Sequence, residues 1–299
     1  MIEGILVDGL IFSIMALGVF ISFRILDFPD LTVDGSFATG AAIAAMCIIN
    51  GFGIFAATLL AFIGGAIAGA ITATIHNKLK VPGLLAGILV MTMLYSINIR
   101  ILGGRANIAL LRVDTIISKV IHLGGSFPRE YTLLIFMILF VGIIKILIDI
   151  FFRTDLGITM GALGNNEQMI KTNGVNPETV KVIGLSLANG LVALSGAILG
   201  QYQGFADAKL GQGMVVEGLA AVMLGEFLLR SNKIFFITLR VVLGAILYKG
   251  LMFFGRYYGY YIHMTPSDLK LITSVLVIVS LVIAKGQDAA GQRRRAKHD

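Results

Sequence analysis

The amino-acid sequence predicts an all-α membrane protein, a polytopic helix bundle of eight or nine spans with some short or broken helices. Of its 299 residues, 57% are hydrophobic and only 14% are charged, whereas about a quarter of the residues of a soluble domain are charged. Several apolar runs approach the ~20 residues that a spanning helix requires. The apolar residues in these runs are continuous and lack the alternation of barrel strands.

Nine apolar runs cover most of the chain, which is predicted to form one transmembrane domain over residues 1–299. The runs are 5–23, 35–50, 54–75, 82–99, 132–152, 181–200, 214–229, 234–254 and 269–284. Runs 35–50 and 214–229 are short for a full crossing, so either could be half of a broken helix. The number of spans stays open, and with it the side of the N-terminus.

The positive charges predict the orientation of the bundle. The net charge is +7, but the basic residues lie mostly between the runs and in the tail 286–299, which indicates membrane orientation rather than nucleic-acid binding. Because cytoplasmic segments are rich in Lys and Arg, we expect the tail and segment 153–180 on the cytoplasmic side. Segment 100–131 is then outside. The predicted location is the cytoplasmic (inner) membrane, with a cytoplasmic C-terminus.

Small residues recur on single helix faces. Gly65 and Gly69 form a GxxxG pair, and five small residues share one face of run 181–200: Ser186, Gly190, Ala193, Ala197 and Gly200. Such faces let helix backbones approach closely within lipid. We expect them to pack helices inside one bundle, with an interface between subunits as the alternative.

Several motifs of enzymes are absent from the sequence. It contains no GxxxxGK[ST] phosphate loop, so we do not expect this chain to hydrolyse ATP. It also lacks HExxH, GxSxG and CxxC motifs, and its four histidines are scattered. The sequence therefore predicts no catalytic residue, no metal site and no cofactor in this chain.

The segment from Leu26 to Ser36 interrupts two apolar runs with a proline, a glycine and three aspartates. A broken helix is tolerated in a membrane where it is buried in protein or lines water, and carboxylates there are usually functional or paired. A helix beginning in this segment would offer free N–H groups to a carboxylate, and an aspartate would hold an ammonium group. The predicted substrate-path residues are Asp30, Thr32, Asp34, Ser36 and Glu217. The alternative is an interfacial turn in which Asp30 or Thr32 caps the next helix.

Segment 153–180 is moderately apolar and rich in small residues. Its middle is predicted to form a short helix that begins near Asn165 or Asn166 and ends at Gly174. A short cytoplasmic helix of this kind suits docking of a partner protein, in which Gly164 leaves room for the partner and Glu167 pairs with a partner cation. The predicted coupling residues are Gly161, Ala162, Leu163, Gly164, Asn165 and Glu167. An ordinary interfacial linker is the alternative.

Four short motifs, taken in their order along the chain, point to a specific protein family. They are Leu26-Asp27-Phe28, Gly35-Ser36-Phe37, Gly157 followed by Gly161-Ala162-Leu163-Gly164-Asn165-Asn166-Glu167 and Gly174-Val175-Asn176, and Ser195-Gly196-Ala197. Their order resembles the branched-chain amino acid permease family of ABC importers, which includes ribose and nucleoside permeases, over about residues 5–284. The variant from Asp30 to Ser36 is similar to a subgroup associated with aromatic amino acids and departs from the branched-chain members.

This resemblance implies a type II-like ABC importer permease that conducts a small polar solute, an amino acid and in this subgroup an aromatic one. It further implies a second permease copy, two ATP-binding-cassette ATPase subunits that bind ATP and Mg, and an extracytoplasmic substrate-binding protein or lipoprotein. Three alternatives remain: an ion-gradient transporter that uses Asp34 and Glu217, an ABC permease for a sugar or nucleoside, and a membrane scaffold.

Overall fold

The computed structural model describes residues 2–110, 113–123, 128–229, 231 and 233–259, together with five positions between 271 and 279. Its helices are α1 (Ile2–Val19), α2 (Thr32–Ile49), α3 (Ile54–Leu79), α4 (Gly83–Ile101), α5 (Ile116–Leu123), α6 (Arg129–Phe152), α7 (Asp155–Asn165), α8 (Glu167–Thr172), α9 (Pro177–Gln203), α10 (Met214–Leu228) and α11 (Ile234–Gly259). A π-helical extension, Phe20–Ile25, continues α1, and two short strands are β1 (Asn107–Ala109) and β2 (Phe205–Asp207).

Seven helices in the described part of the chain are long and apolar enough to cross a membrane. They are α1 with its extension, α2, α3, α4, α6, α9 and α11. Seven of the nine predicted runs therefore correspond to spans. Run 214–229 forms the 15-residue helix α10, which is about 22 Å long and shorter than the ~30 Å hydrocarbon core. Run 269–284 and the tail 286–299 lie almost entirely outside the described residues.

The chain reverses sharply between α1 and α2. Leu26 N–H donates to the Ile21 carbonyl at 3.0 Å. This bond spans five residues, which is the spacing of a π-helix. Asp27 then takes a left-handed conformation with φ of 51°, one that Asn and Asp tolerate better than most residues. Pro29 removes a backbone donor in the same turn. The helix begins again only at Thr32, after a loop in which Leu26, Phe28 and Asp30 are buried while Asp27 and Pro29 are exposed.

The centre of the bundle is α9, which packs against α1, α2 and α3. The small-residue faces make these contacts, as expected. A side chain on Gly65 or Gly69 of α3 would overlap backbone carbonyls of α9, and one on Gly196 would overlap the Phe37 carbonyl of α2. Because backbones meet so closely, these helices gain dispersion contact that lipid does not offer. The packing prediction is thus confirmed for α3 and α9.

A small ribbon lies on the side predicted to be outside. Strands β1 and β2 pair antiparallel, with Asn107 opposite Asp207 and Ala109 opposite Phe205. The ribbon packs through Leu110 and Ala206 on small residues of α2. The sequence pattern predicts no strands here, because three-residue strands are too short for a period-two pattern. Apart from this ribbon, the described residues form an all-α bundle.

Candidate substrate path and coupling segment

Three of the predicted path residues belong to a buried polar network. The Asn189 amide donates to Asp30 at 2.6 Å, and the Thr32 backbone N–H donates to the other Asp30 oxygen at 2.8 Å. Ser36 donates to the Asn189 side-chain oxygen at 2.7 Å, and the hydroxyls of Thr32 and Thr72 are 2.7 Å apart. All five side chains are 0% exposed. In this conformation, therefore, Asp30, Thr32 and Ser36 present no surface to a solute.

The network explains why α2 begins where it does. Asp30 accepts the first N–H group of α2, so the capping alternative describes this aspartate well. It does so deep in the protein, because Asn189 lies near the middle of α9. Burial raises the pKa of the Asp30 carboxyl, and the hydrogen bonds from Thr32 and Asn189 oppose that rise.

Asp34 joins α2 to the start of α10. Its two carboxylate oxygens accept the backbone N–H groups of Gly213 at 2.8 Å and Val215 at 2.9 Å. These donors belong to the first turn of α10, whose N-terminus is positive and has no other cap from its own segment. Gly211 packs directly on the Asp34 carbonyl, and a side chain there would overlap it. The broken-helix prediction for run 214–229 therefore fits a half-helix that begins inside the bundle.

A cavity of about 220 Å³ opens beside Asp34 between α2, α4 and the segment that leads into α10. We call it the Asp34 cavity. Its lining residues are Asp34, Gly35, Met91, Thr92, Tyr95, Asn98, Ala208 and Gln212. The Asn98 side-chain oxygen is buried without a hydrogen-bond partner among the described residues. The cavity is smaller than the ~300–1,000 Å³ of sites for drug-sized ligands, which suits a small solute.

Glu217 does not line this cavity and pairs with a cation. Its carboxylate is 3.0 Å from Lys249 of α11, and both side chains are about three-quarters buried. The Lys249 ammonium also lies 4.0 Å from the centroid of the Phe12 ring. The pair holds α10 against α11, and Glu217 is not among the lining residues of the Asp34 cavity.

Segment 153–180 forms two helices, α7 and α8, where we expected one. Asn166 caps α8, as its position predicts, and accepts the Met169 N–H at 3.2 Å. Gly174, with φ of +78°, directly follows Asn173, the C-cap of α8. Apolar side chains are exposed on these helices: Leu156 is 46%, Ile158 61% and Met169 55% exposed.

The predicted coupling residues divide between inner and outer positions. Leu163 is buried, Ala162 is half-buried, Asn165 is exposed and Gly161 faces open space. A side chain on Gly164 would overlap the Ile25 carbonyl. Gly164 thus makes room for its own chain and not for a partner surface, which corrects the reason given for it.

Glu167 also finds its cations within the chain. Its oxygens lie 2.9 Å from the ammonium groups of Lys171 and Lys181. These two hydrogen-bonded cations lower the pKa of the Glu167 carboxyl from 4.5 to about 2. The partner cation expected for Glu167 is therefore unnecessary, and the residue fastens α8 to α9.

A buried charge cluster between α6 and α11 was not predicted. Lys145 bonds Asp149, and the Thr238 hydroxyl donates to the same aspartate. The Lys145 ammonium also lies 3.2 Å from the centroid of the Phe235 ring. The spacing of Lys145 and Asp149, one helical turn apart in an apolar run, is the signal that predicts such a pair.

Comparison with known proteins decides the family. Residues 1–284 match the protein family described as the permease component of the branched-chain amino acid transport system. The chain belongs to this family. It is 41% identical over 280 residues to a tyrosine transport system permease protein of Clostridioides difficile, a match that covers 94% of this chain and 90% of that protein. This permease is accordingly a component of an ABC transport system and a multi-pass membrane protein.

Two solved structures share the fold of the permease. A chain of PsaBC from Streptococcus pneumoniae, in complex with Fab, has a TM-score of 0.53 at 15% identity and covers 92% of this chain and 89% of its own. A chain described as a metal-chelate type ABC transporter in an inward-facing conformation has a TM-score of 0.51 at 15% identity, with coverages of 95% and 86%. At this identity the likeness concerns the fold alone. Membership of the family implies ATPase and substrate-binding partners.

The lining of the Asp34 cavity contains residues that sequence reasoning missed. Met91, Tyr95 and Asn98 of α4 follow one another at steps of four and three, so they share a helix face. Polar residues on one face of a membrane helix predict a protein-lined or wet surface. That periodicity could have identified the α4 face. Gln212 had no such signal, since it depends on the course of the chain before α10.

Proposed function

We propose that the permease imports an amino acid of the aromatic type and that the solute passes the Asp34 cavity. One observation carries the proposal: an aromatic ring, a thioether and several polar groups meet in a cavity that is partly open within the membrane-spanning region. The tyrosine transport permease to which the chain is 41% identical supports the choice of substrate.

The groups of the cavity match the parts of such a solute. Asp34 keeps lone pairs free, because a carboxylate has about four acceptor sites and α10 uses two. These, with the unpaired Asn98 oxygen, would accept an ammonium group through charge-assisted hydrogen bonds. The Gln212 amide would donate to the solute carboxylate. Tyr95 and Met91 would contact an aromatic side chain.

A second copy of the chain would complete the path. Thr92, Tyr95 and Ser96 are exposed on α4, although α4 is apolar enough to span the membrane. Polar groups in a spanning helix face protein or water rather than lipid. Two copies related by a twofold axis along this face would enclose the path between them, as in most homo-oligomers with closed symmetry.

Coupling to ATP hydrolysis would begin at α7 and α8. The exposed Leu156, Ile158 and Met169 offer an apolar surface for the ATPase, which would bind ATP and Mg itself. Movement of α7 would reach Ile25 through the close contact at Gly164. The loop after Ile25 leads to Asp30 and α2, and so to the cavity. In this view Asp30, Thr32 and Ser36 position α2, and Glu217 positions α10.

The experiment is uptake by proteoliposomes that contain the permease with its ATPase and binding protein, taken from the neighbouring genes. We expect ATP-dependent uptake of tyrosine or another aromatic amino acid to exceed that of leucine and of ribose. Uptake of ribose or a nucleoside in preference to all amino acids would contradict the proposal. An ionophore that dissipates ion gradients should leave uptake unchanged. Loss of uptake in the presence of the ionophore would favour the ion-gradient alternative.

A further inference from the structure

A second cavity lies far from the Asp34 cavity, on the side of the bundle predicted to be outside. Its volume is about 520 Å³, and it lies between the start of α3, helix α5 and α6. Its walls are almost entirely apolar, with Ile54 and Phe55 on α3 and Ile135 and Leu139 on α6. We call this the α3–α5–α6 groove. Phe55 is 82%, Ile135 55% and Leu139 61% exposed, so the groove is open to the surrounding membrane.

Two sets of hydrogen bonds hold α5 in place as one wall of the groove. Thr115 and Ser118 bond reciprocally, with each side chain accepting the other's backbone N–H at 3.2 and 2.8 Å, which is the arrangement of a capping box. The Ile116 N–H donates to Gln201 of α9 at 3.0 Å. Helix α5 is thus fastened to the core and forms a rigid wall.

One cation lines the groove, and a second lies one helical turn before it on α6. Lys119 of α5 lines it and is exposed. Arg129, also exposed, begins α6 one turn before Thr132, which lines the groove. Residues three apart share a helix face, so Arg129 continues the same stripe towards the surface. Glu130 follows Arg129, but its side chain leaves the helix about 100° further round.

We infer that the α3–α5–α6 groove binds one anionic phospholipid, with an acyl chain along α6 and the headgroup phosphate between Lys119 and Arg129. The apolar stripe from Thr132 to Leu139 is about 10 Å long and runs from the surface into the membrane, which is the direction of an acyl chain. Juxtamembrane cations attract anionic headgroups. The site is independent of the transported solute.

Native mass spectrometry of the purified full-length permease tests this inference, with phosphatidylglycerol and phosphatidylethanolamine as probes. We expect retention of one phosphatidylglycerol in preference to phosphatidylethanolamine. Lys119→Gln and Arg129→Gln should each weaken that binding about fivefold. Arg105→Gln, which removes an exposed cation from the same outer segment but not from the groove, should leave it unchanged.

A groove-filling variant tests the apolar half of the site. A side chain at Gly53 would meet no atom within 4 Å, and Gly53 lines the groove, so Gly53→Trp should occupy it and abolish lipid retention. Gly250→Trp, also in open space but on α11, is the matched control. Equal retention of both lipids by the unaltered chain would overturn the inference. Gly53→Trp that still retains phosphatidylglycerol would overturn it as well. So would a Gly53→Trp variant that loses its dimers while its phosphatidylglycerol retention stays unchanged.

Discussion

At the scale of single residues, three acidic side chains of the bundle are engaged by specific partners. Asp149 bonds Lys145, Glu217 bonds Lys249, and Asp34 accepts two backbone N–H groups. A charge in lipid is costly when it is alone, and a buried ion pair loses most when one partner is removed. The same reasoning weakens the ion-gradient alternative at Glu217, because Lys249 already pairs with that carboxylate.

The pair in α6 gives the first prediction. Lys145→Met keeps the side-chain length but leaves Asp149 buried with only the Thr238 hydroxyl, so the free energy of unfolding should fall by about 3–5 kcal/mol. Unfolding of the purified protein in detergent measures this. The double variant Lys145→Met with Asp149→Leu should recover most of the loss, because it removes both charges. A single variant as stable as the unaltered chain would contradict this account.

Glu167 gives a prediction about pH. Its pKa is about 2 in the folded chain against an ordinary 4.5, so its ionised form stabilises the folded state above pH 4.5 and that stabilisation is lost as the pH falls towards 2. The difference in melting temperature between the unaltered chain and Glu167→Gln should therefore be constant over about pH 5–8. It should shrink below that range. A difference that vanishes between neutral pH and about pH 5 would show that Lys171 and Lys181 do not hold the carboxylate.

At the scale of elements, α10 and the turn before α2 matter most. Helix α10 is too short to span and starts beside Asp34, while α2 starts beside Asp30. The first N–H groups of a helix have no acceptor within that helix, so each of these helix starts uses an acceptor from elsewhere in the protein. The two aspartates supply those acceptors and fix both helices relative to the cavity.

Two glycines of α7 provide a matched pair of tests. Gly164→Leu should push α7 away from Ile25, because overpacking at a close contact typically costs about 1–3 kcal/mol, and should lower both stability and coupled uptake. Gly161→Leu enters open space, so the melting temperature of the permease alone should stay unchanged. If the ATPase docks on α7, Gly161→Leu should reduce co-purification of the ATPase. Normal co-purification and uptake in both variants would leave α7 a simple linker.

The sequence predicts the spans better than the site. Long apolar runs and the GxxxG pair on α3 report local composition, which is why the helices and their small faces were predictable. Asp34 and Asn166 were also recognised, because a helix start has local signals. The role of Gly164, the partner of Glu217 and the position of Gln212 depend on contacts between distant segments. Local patterns cannot encode such contacts, and only the packed bundle defines them.

At the scale of the whole molecule, the proposed assembly places two copies of α4 around one path. Alternating access then requires that ATP bind one state of the assembly better than the other, because a ligand shifts an equilibrium only by its differential affinity. The contacts from α7 through Ile25 and the Asp30 loop to α2 form a continuous packed route for such a shift.

The dimer prediction can be tested by cross-linking. In a Cys47→Ser background, which removes the chain's single cysteine, Ser96→Cys should cross-link two permease copies with a short bismaleimide. Ser96 is exposed on the α4 face assigned to the interface. The control position is Ile143 on α6, which is 57% exposed. Ile143→Cys should not cross-link. Equal dimer yields at both positions would argue against an interface along α4.

The measurement that tests the central claim most directly is uptake by Asp34→Asn in the reconstituted transporter. Asparagine keeps the shape and one acceptor for α10 but removes the charge offered to a solute ammonium group. We predict that ATP-dependent uptake falls at least tenfold, while assembly and basal ATPase activity persist. Asp27→Asn, an exposed turn residue with φ of 51° that asparagine tolerates, should transport normally. Unchanged uptake in Asp34→Asn would contradict the account.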